Sequence, residues 1–225
     1  MKQRIFSSLG LAVLVSVSLV APASAALVFD FAADFSNTNG NPNGVWSYGY
    51  KPIVDGKPTG TFLPLNTPLD LGEAGMAWCY NNYGDGGGLV WKNQMSYGQY
   101  NISPGHVSLE GDPGYTTTAR WTAPSSGYID LAVAFGGSGA ARYIMLSDTL
   151  LAEGSTDWYS YNNQNVYMNI GDTIDVTAYG ASASGNTQTD ITIGFTAIPE
   201  PTSMFSTLAL VSSGLMLRRR AKHLR

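Results

Sequence analysis

From residue 128 to 135 the chain alternates without a break: Ile129, Leu131, Val133 and Phe135 interleave with Tyr128, Asp130, Ala132 and Ala134. A period of two puts the first set on one face of an extended strand and the second on the other. The rhythm returns over 172–179, where Ile174, Val176 and Ala178 alternate with Thr173, Asp175 and Thr177, and over 190–196 through Ile191, Ile193 and Phe195. Each stretch predicts a half-buried strand. Shorter stretches at 27–32, 45–50, 76–80, 89–92, 106–109, 117–122, 142–146 and 165–169 also read as strands, and no long segment carries apolar residues at helical spacing. Turn clusters separate them: Asn41-Pro42-Asn43-Gly44, Gly86-Gly87-Gly88, Asp112-Pro113-Gly114 and Ser184-Gly185-Asn186. Many short strands between turns predict an all-β sandwich. A jelly roll is the expected architecture, because two sheets bury alternating faces and limit exposed edges.

The pattern changes at both ends. Lys2 and Arg4 precede an apolar stretch from Ile5 to Val20, and Ala23-Ser24-Ala25 has the small-x-small form of a signal-peptide cleavage site. A signal-peptide helix over 1–25 is therefore expected, cut after Ala25 by signal peptidase. At the other end, Pro199-Glu200-Pro201 leads into an apolar run, Met204 to Leu217, and then Arg218-Arg219-Arg220, Lys222 and Arg225. As a helix, 202–217 would be about 24 Å long at 1.5 Å per residue, short of a hydrocarbon core of about 30 Å. Snorkelling arginines and local thinning can close such a gap. The basic residues at both ends should stay cytoplasmic, placing 26–197 outside.

The triplet, apolar run and terminal arginines over 198–225 resemble the PEP-CTERM sorting signal. That resemblance implies a short transmembrane segment processed by an exosortase-type membrane enzyme, with cell-surface or extracellular destination and transient inner-membrane anchoring. A tail anchor that is never cleaved is the alternative. Within the body, Ala33-Asp34-Phe35-Ser36 followed by Asn43-Gly44-Val45-Trp46-Ser47-Tyr48-Gly49 resembles the opening of exported sandwich domains of PEP-CTERM proteins. Ala119-Arg120-Trp121-Thr122-Ala123-Pro124, Ile170-Gly171-Asp172-Thr173-Ile174-Asp175-Val176 and Asp190-Ile191-Thr192-Ile193 are similar to later strands of that pattern. The resemblance implies a fold and a location and assigns no biochemical role.

Setting the ends aside changes the charge. Residues 26–197 form one domain by size and keep only Lys51, Lys57, Lys92, Arg120 and Arg142 against fifteen acidic residues. A body near −10 repels nucleic-acid phosphates and offers no basic patch, so nucleic-acid binding is excluded. Cys79 is the only cysteine, so no intramolecular disulfide can form. Its apolar surroundings, Met76-Ala77-Trp78-Cys79-Tyr80, predict burial.

Candidate chemistry is sparse. The body has one histidine, His106, expected to be a surface or hydrogen-bonded residue rather than a catalytic base, and no nucleophile-elbow, zincin or P-loop motif. Glu110 and Asp112 could serve glycoside hydrolysis only if they faced each other across a cleft; adjacent loop acids are expected to be solvated. Asp85 and Asp190 are weak calcium candidates, since the calcium-loop pattern is absent. No catalytic residue, cofactor or metal is assigned.

The aromatic clusters say more. Trp46-Ser47-Tyr48-Gly49-Tyr50, Trp78 to Tyr83, Tyr97-Gly98-Gln99-Tyr100 and Trp158 to Asn163 mix rings with amides and hydroxyls. Trp46, Trp78 and Trp121 are expected in the core. Trp158, Tyr159, Tyr161, Asn162 and Asn163 are the candidate glycan-binding set, because rings can stack on sugar faces while amides bond to hydroxyls. Trp158 should share a face with Ser160. Three readings follow: a non-enzymatic exported protein of the cell surface or polysaccharide matrix, favoured; a carbohydrate-binding module; and a polysaccharide hydrolase or lyase.

Overall fold

The computed structural model describes residues 26–81, 88–111, 114–137, 141–155, 157–179 and 185–199. In chain order they form β1 (Leu27–Asp30), a one-turn helix α1 (Phe31–Asp34), β2 (Trp46–Val54), β3 (Lys57–Pro58), β4 (Leu63–Pro64), β5 (Thr67–Asp70), β6 (Gly75–Cys79), β7 (Leu89–Asn93), β8 (Val107–Glu110), β9 (Tyr115–Thr122), β10 (Gly127–Gly136), β11 (Ala141–Leu146), β12 (Thr149–Gly154), β13 (Tyr159–Met168), β14 (Thr173–Tyr179) and β15 (Asn186–Ala197). The protein is all-β, in two antiparallel sheets. Sheet A runs β13-β10-β15-β8-β7-β6-β5, with β1 also on β15; sheet B runs β12-β11-β14-β9-β2-β3, with β4 on β2.

The winding is that of a jelly roll. β11 pairs with β12, β10 with β13, β9 with β14 and β8 with β15, a nested series in which successive pairs alternate between the sheets. The N-terminal strands widen both layers: β5 to β7 extend sheet A beyond β8, and β2 to β4 extend sheet B beyond β9. The alternation expected over 128–135 is present along β10, where Ile129, Leu131, Val133 and Phe135 are buried and Tyr128, Asp130, Ala132 and Ala134 are exposed. Full burial of each such apolar side chain contributes about 1.5–3 kcal/mol relative to exposure. Trp46, Tyr48, Trp78 and Trp121 lie in the same core; Cys79 is buried in a separate, smaller cluster with Ala77, Leu89, Trp91 and Ile102.

The sequence expectation needs correction in three places. β13 starts at Tyr159, not at residue 165; β3 and β4 have only two residues each, and β5 and β12 do not read as strands, because Pro68 interrupts the first and Leu150-Leu151-Ala152 run together in the second. β14 is buried on both faces rather than half-buried: Asp175 and Thr177 are as inaccessible as Ile174 and Val176. The cause is a cover on the outside of sheet B. The Phe62 ring lies so close to Gly49 that a Cβ there would collide with it. The same ring lies under the Arg120 guanidinium at 4.2 Å. Beneath this cover Arg120 grips Asp175 through Nε and Nη2, each at 2.7 Å. The fully buried Lys51 ammonium donates to Asp175 at 3.0 Å and to Asp148 at 2.6 Å. The hydrogen bond from Lys51 holds the Asp148 carboxyl below its ordinary range.

Candidate functional site

Among the described residues, the outside of sheet A is open over β13, β10 and β15. Register pairing places Ser160, Ala134 and Asp190 in one row across β13, β10 and β15, and Asn162, Ala132 and Thr192 in the next. Small side chains on β10 thus make a flat floor. At one end of it stands Trp158, 75% exposed. Its ring packs over Gly136, where an added Cβ would come within 2.7 Å of the indole. Glycine leaves the room that lets the indole lie against the sheet there. At the other end Tyr128 and Tyr167, register partners, meet edge to face with centroids 5.5 Å apart.

The approach to Trp158 is held from below. Arg142 is fully buried, and its Nη2 donates to the carbonyl of Gly137 at 2.8 Å and to that of Asp157 at 3.3 Å. It therefore ties the residue after Gly136 to the residue before Trp158. Burial pushes its guanidinium below its ordinary range, partly offset by the Asp157 charge.

A polar cluster borders the floor on the β8 side. His106 Nδ1 donates to Asp190 Oδ1 at 2.6 Å, and the Gln188 amide donates to Asp190 Oδ2 at 3.2 Å. In the neutral ring this leaves Nε2 as the acceptor. Gln188 is the register partner of Gly136, so the cluster begins one strand away from the Trp158 platform, about 4.8 Å. The wall beside it is the segment 94–106. Buried Asn93 organises this segment by donating to the carbonyls of Tyr97 and Ile102 and accepting from Met95 N. Ile102 anchors it on Trp91 and Cys79, and Ser103 N donates to Gln188 Oε1 at 2.9 Å.

The structure separates the candidate set proposed from the sequence. Trp158 and Asn162 are exposed, on the side of the floor. Tyr159 and Tyr161 pair with Phe135 and Val133 and turn to the core, Tyr159 stacking with Phe135 at 6.2 Å. Burial, then the neighbouring Tyr161, pushes the Tyr159 hydroxyl up. Asn163 donates to the Tyr161 hydroxyl at 3.0 Å. The period-two rule already carried this signal, since Trp158 and Tyr159 have opposite parity. Nothing local pointed to Gln188 or to the pairing of His106 with Asp190, which are 84 residues apart.

Other candidates fall elsewhere. Glu110 closes β8 opposite Asn186, while Asp85 and Asp112 lie outside the described residues. Among the described residues no group of three or more His, Cys, Asp and Glu is placed to hold a metal ion. Pro199 is exposed. Glu200, Pro201, Arg218, Arg219, Arg220, Ala23, Ala25 and both expected terminal helices lie outside the described residues. Among the described residues no helix is long and apolar enough to cross a membrane.

No family model and no curated protein matches the sequence. Solved structures similar to it include a family 35 carbohydrate binding module from Clostridium thermocellum, at 14% identity over 39% of this chain and 76% of that one, with a TM-score of 0.28. A family 29 carbohydrate binding module matches at 14% identity over 70% of this chain and 97% of that one, with a TM-score of 0.29. At such scores the likeness assigns no family, and the reading of the face rests on its own geometry.

Proposed function

We propose that this chain is an exported, non-enzymatic protein of the cell surface or polysaccharide matrix whose sandwich binds carbohydrate on the outside of sheet A. One observation carries the binding reading: Trp158 is held exposed over Gly136, one strand from the hydrogen-bonded His106, Gln188 and Asp190. An indole face offers the apolar surface a pyranose ring stacks on. A carboxylate, an amide and an imidazole beside it are the donors and acceptors that fix hydroxyls, the usual division of labour in a ligand site. The PEP triplet, apolar run and arginines support sorting through a PEP-CTERM signal, with signal peptidase and an exosortase-type enzyme as processing partners and the inner membrane as a transient station.

A glycan array that includes the producing cell's own matrix tests the binding reading on the purified protein. Binding to at least one glycan is expected, with a loss of about tenfold or more for Trp158→Ala, equivalent to about 1.4 kcal/mol. Absence of binding to every glycan would refute it. The intact mass of the exported protein tests the sorting proposal, which requires a chain beginning at Ala26 and cut near residue 200.

A further inference from the structure

Resting on the carbohydrate-binding reading, we infer that the ligand is an uncharged, linear polysaccharide lying along β10, from Trp158 at one end to the Tyr128/Tyr167 pair at the other. Three observations on the same face converge. The first is its length and flatness. From Gly136, beneath Trp158, to Tyr128 is eight strand residues, about 26 Å at about 3.3 Å each. The outward side chains between them are Ala134, Ala132 and Asp130, all exposed, and no other described element covers them. A floor of this length is far longer than one or two sugar rings need, and its small side chains raise no barrier that would enclose a chain end.

The second is the aromatic pair. Tyr128 and Tyr167 are 45% and 47% exposed, and as register partners in edge-to-face contact they hold each other upright on the outer face. Their hydroxyl-bearing rings supply a second stacking station, separated from the first by a polar and alanine stretch that includes Asn162, Ser160 and Thr192. Two stations on one open strip suit a repeating chain.

The third is charge. Asp30, Asp130 and Asp190 all sit on outward register positions of this face. None of the five Lys and Arg residues of the body reaches it. Lys51, Arg120 and Asp175 form the buried network on the opposite sheet. Lys57 pairs with Glu153, Lys92 is tied to the Ala32 carbonyl, and Arg142 is buried. His106, held by Asp190, is the one basic side chain among the described residues of the face. Carboxylates accept well from sugar hydroxyls, whereas a uronic-acid polymer would meet like charge with no guanidinium to pair its carboxylates.

The test is calorimetric titration of the purified protein with cello-, manno- and xylo-oligosaccharides, from disaccharide to hexasaccharide, and with polygalacturonate at low salt. Affinity should rise with length in at least one neutral series, and polygalacturonate should not bind. Tyr128→Ala and Tyr167→Ala should each weaken the hexasaccharide about tenfold and leave the disaccharide unchanged, while Trp158→Ala weakens both. Length-independent affinity, or tyrosine variants that bind the hexasaccharide normally, would reduce the site to one short station at Trp158 and overturn the inference while the carbohydrate reading stands. Polygalacturonate bound as tightly as the neutral chains would overturn the charge argument. Binding to no oligosaccharide in the array or the titrations would remove both.

Discussion

Asp175→Asn should be the most damaging conservative substitution in the described structure. The carboxylate is 1% exposed and meets two cations: Arg120 through two bonds of 2.7 Å, and Lys51, whose ammonium has no solvent access, at 3.0 Å. The amide keeps the shape, removes the charge, and turns an NH2 group toward a guanidinium or an ammonium. Breaking a buried pair from one side costs about 3–5 kcal/mol, because the remaining ion stays desolvated without its partner. Two facts pull the value to the lower half of that range: Asp148 still holds Lys51, and Arg120 retains 21% side-chain exposure and its contact with Phe62. We therefore expect about 3 kcal/mol. At about 2–4 °C per kcal/mol for a domain of this size, the midpoint should fall by about 10 °C. Urea titration followed by tryptophan fluorescence measures this directly, since Trp46, Trp78, Trp91 and Trp121 are buried. Glycan affinity should not change, because the network faces outward from the other sheet. A loss below about 1 kcal/mol would refute the reasoning; so would full stability of the Asp175→Asn protein combined with weakened ligand binding.

Gly136→Ala should leave the fold close to wild-type stability yet weaken carbohydrate binding by about as much as Trp158→Ala, because the exposed indole can swing away from the 2.7 Å clash; a bound-state affinity equal to wild type would show that the ring's seat is irrelevant. Asp148 has its carboxyl held low by Lys51, so its contribution to stability is complete above about pH 4, the ordinary aspartate value, and is lost as pH falls through the lower folded value. Denaturation series between neutral and acidic pH should therefore show a shallower acid loss for Asp148→Asn than for wild type, and the effect should be modest because the side chain is largely exposed.

Much of the architecture was legible because strand parity is a local property. In β10 each core position is apolar and each outward one polar or small, so 128–135 declared both the strand and its buried face. Cys79 sat in apolar company and is buried, as are Trp46 and Trp121, which were also expected in the core. The same rule, applied strictly, would have separated Trp158 from Tyr159 and Tyr161, which point to opposite sides of one strand. β14 shows where parity fails. Thr173, Asp175 and Thr177 read as a solvated face, but Arg120, packed on the Phe62 ring, and Lys51 close over Asp175, and the polar face became the seat of an ion network.

The chain on its own determined an acidic β-sandwich, the strands with unbroken alternation, and the burial of Trp46, Trp78 and Trp121, since these follow from side-chain periodicity and composition. Only the folded structure decided the candidate binding face. His106 meets Asp190, Gly136 lies beneath Trp158, and Lys51 reaches Asp175 because nested hairpins bring distant strands into register. Pairing of that kind depends on which strand neighbours which, a property no window of sequence contains.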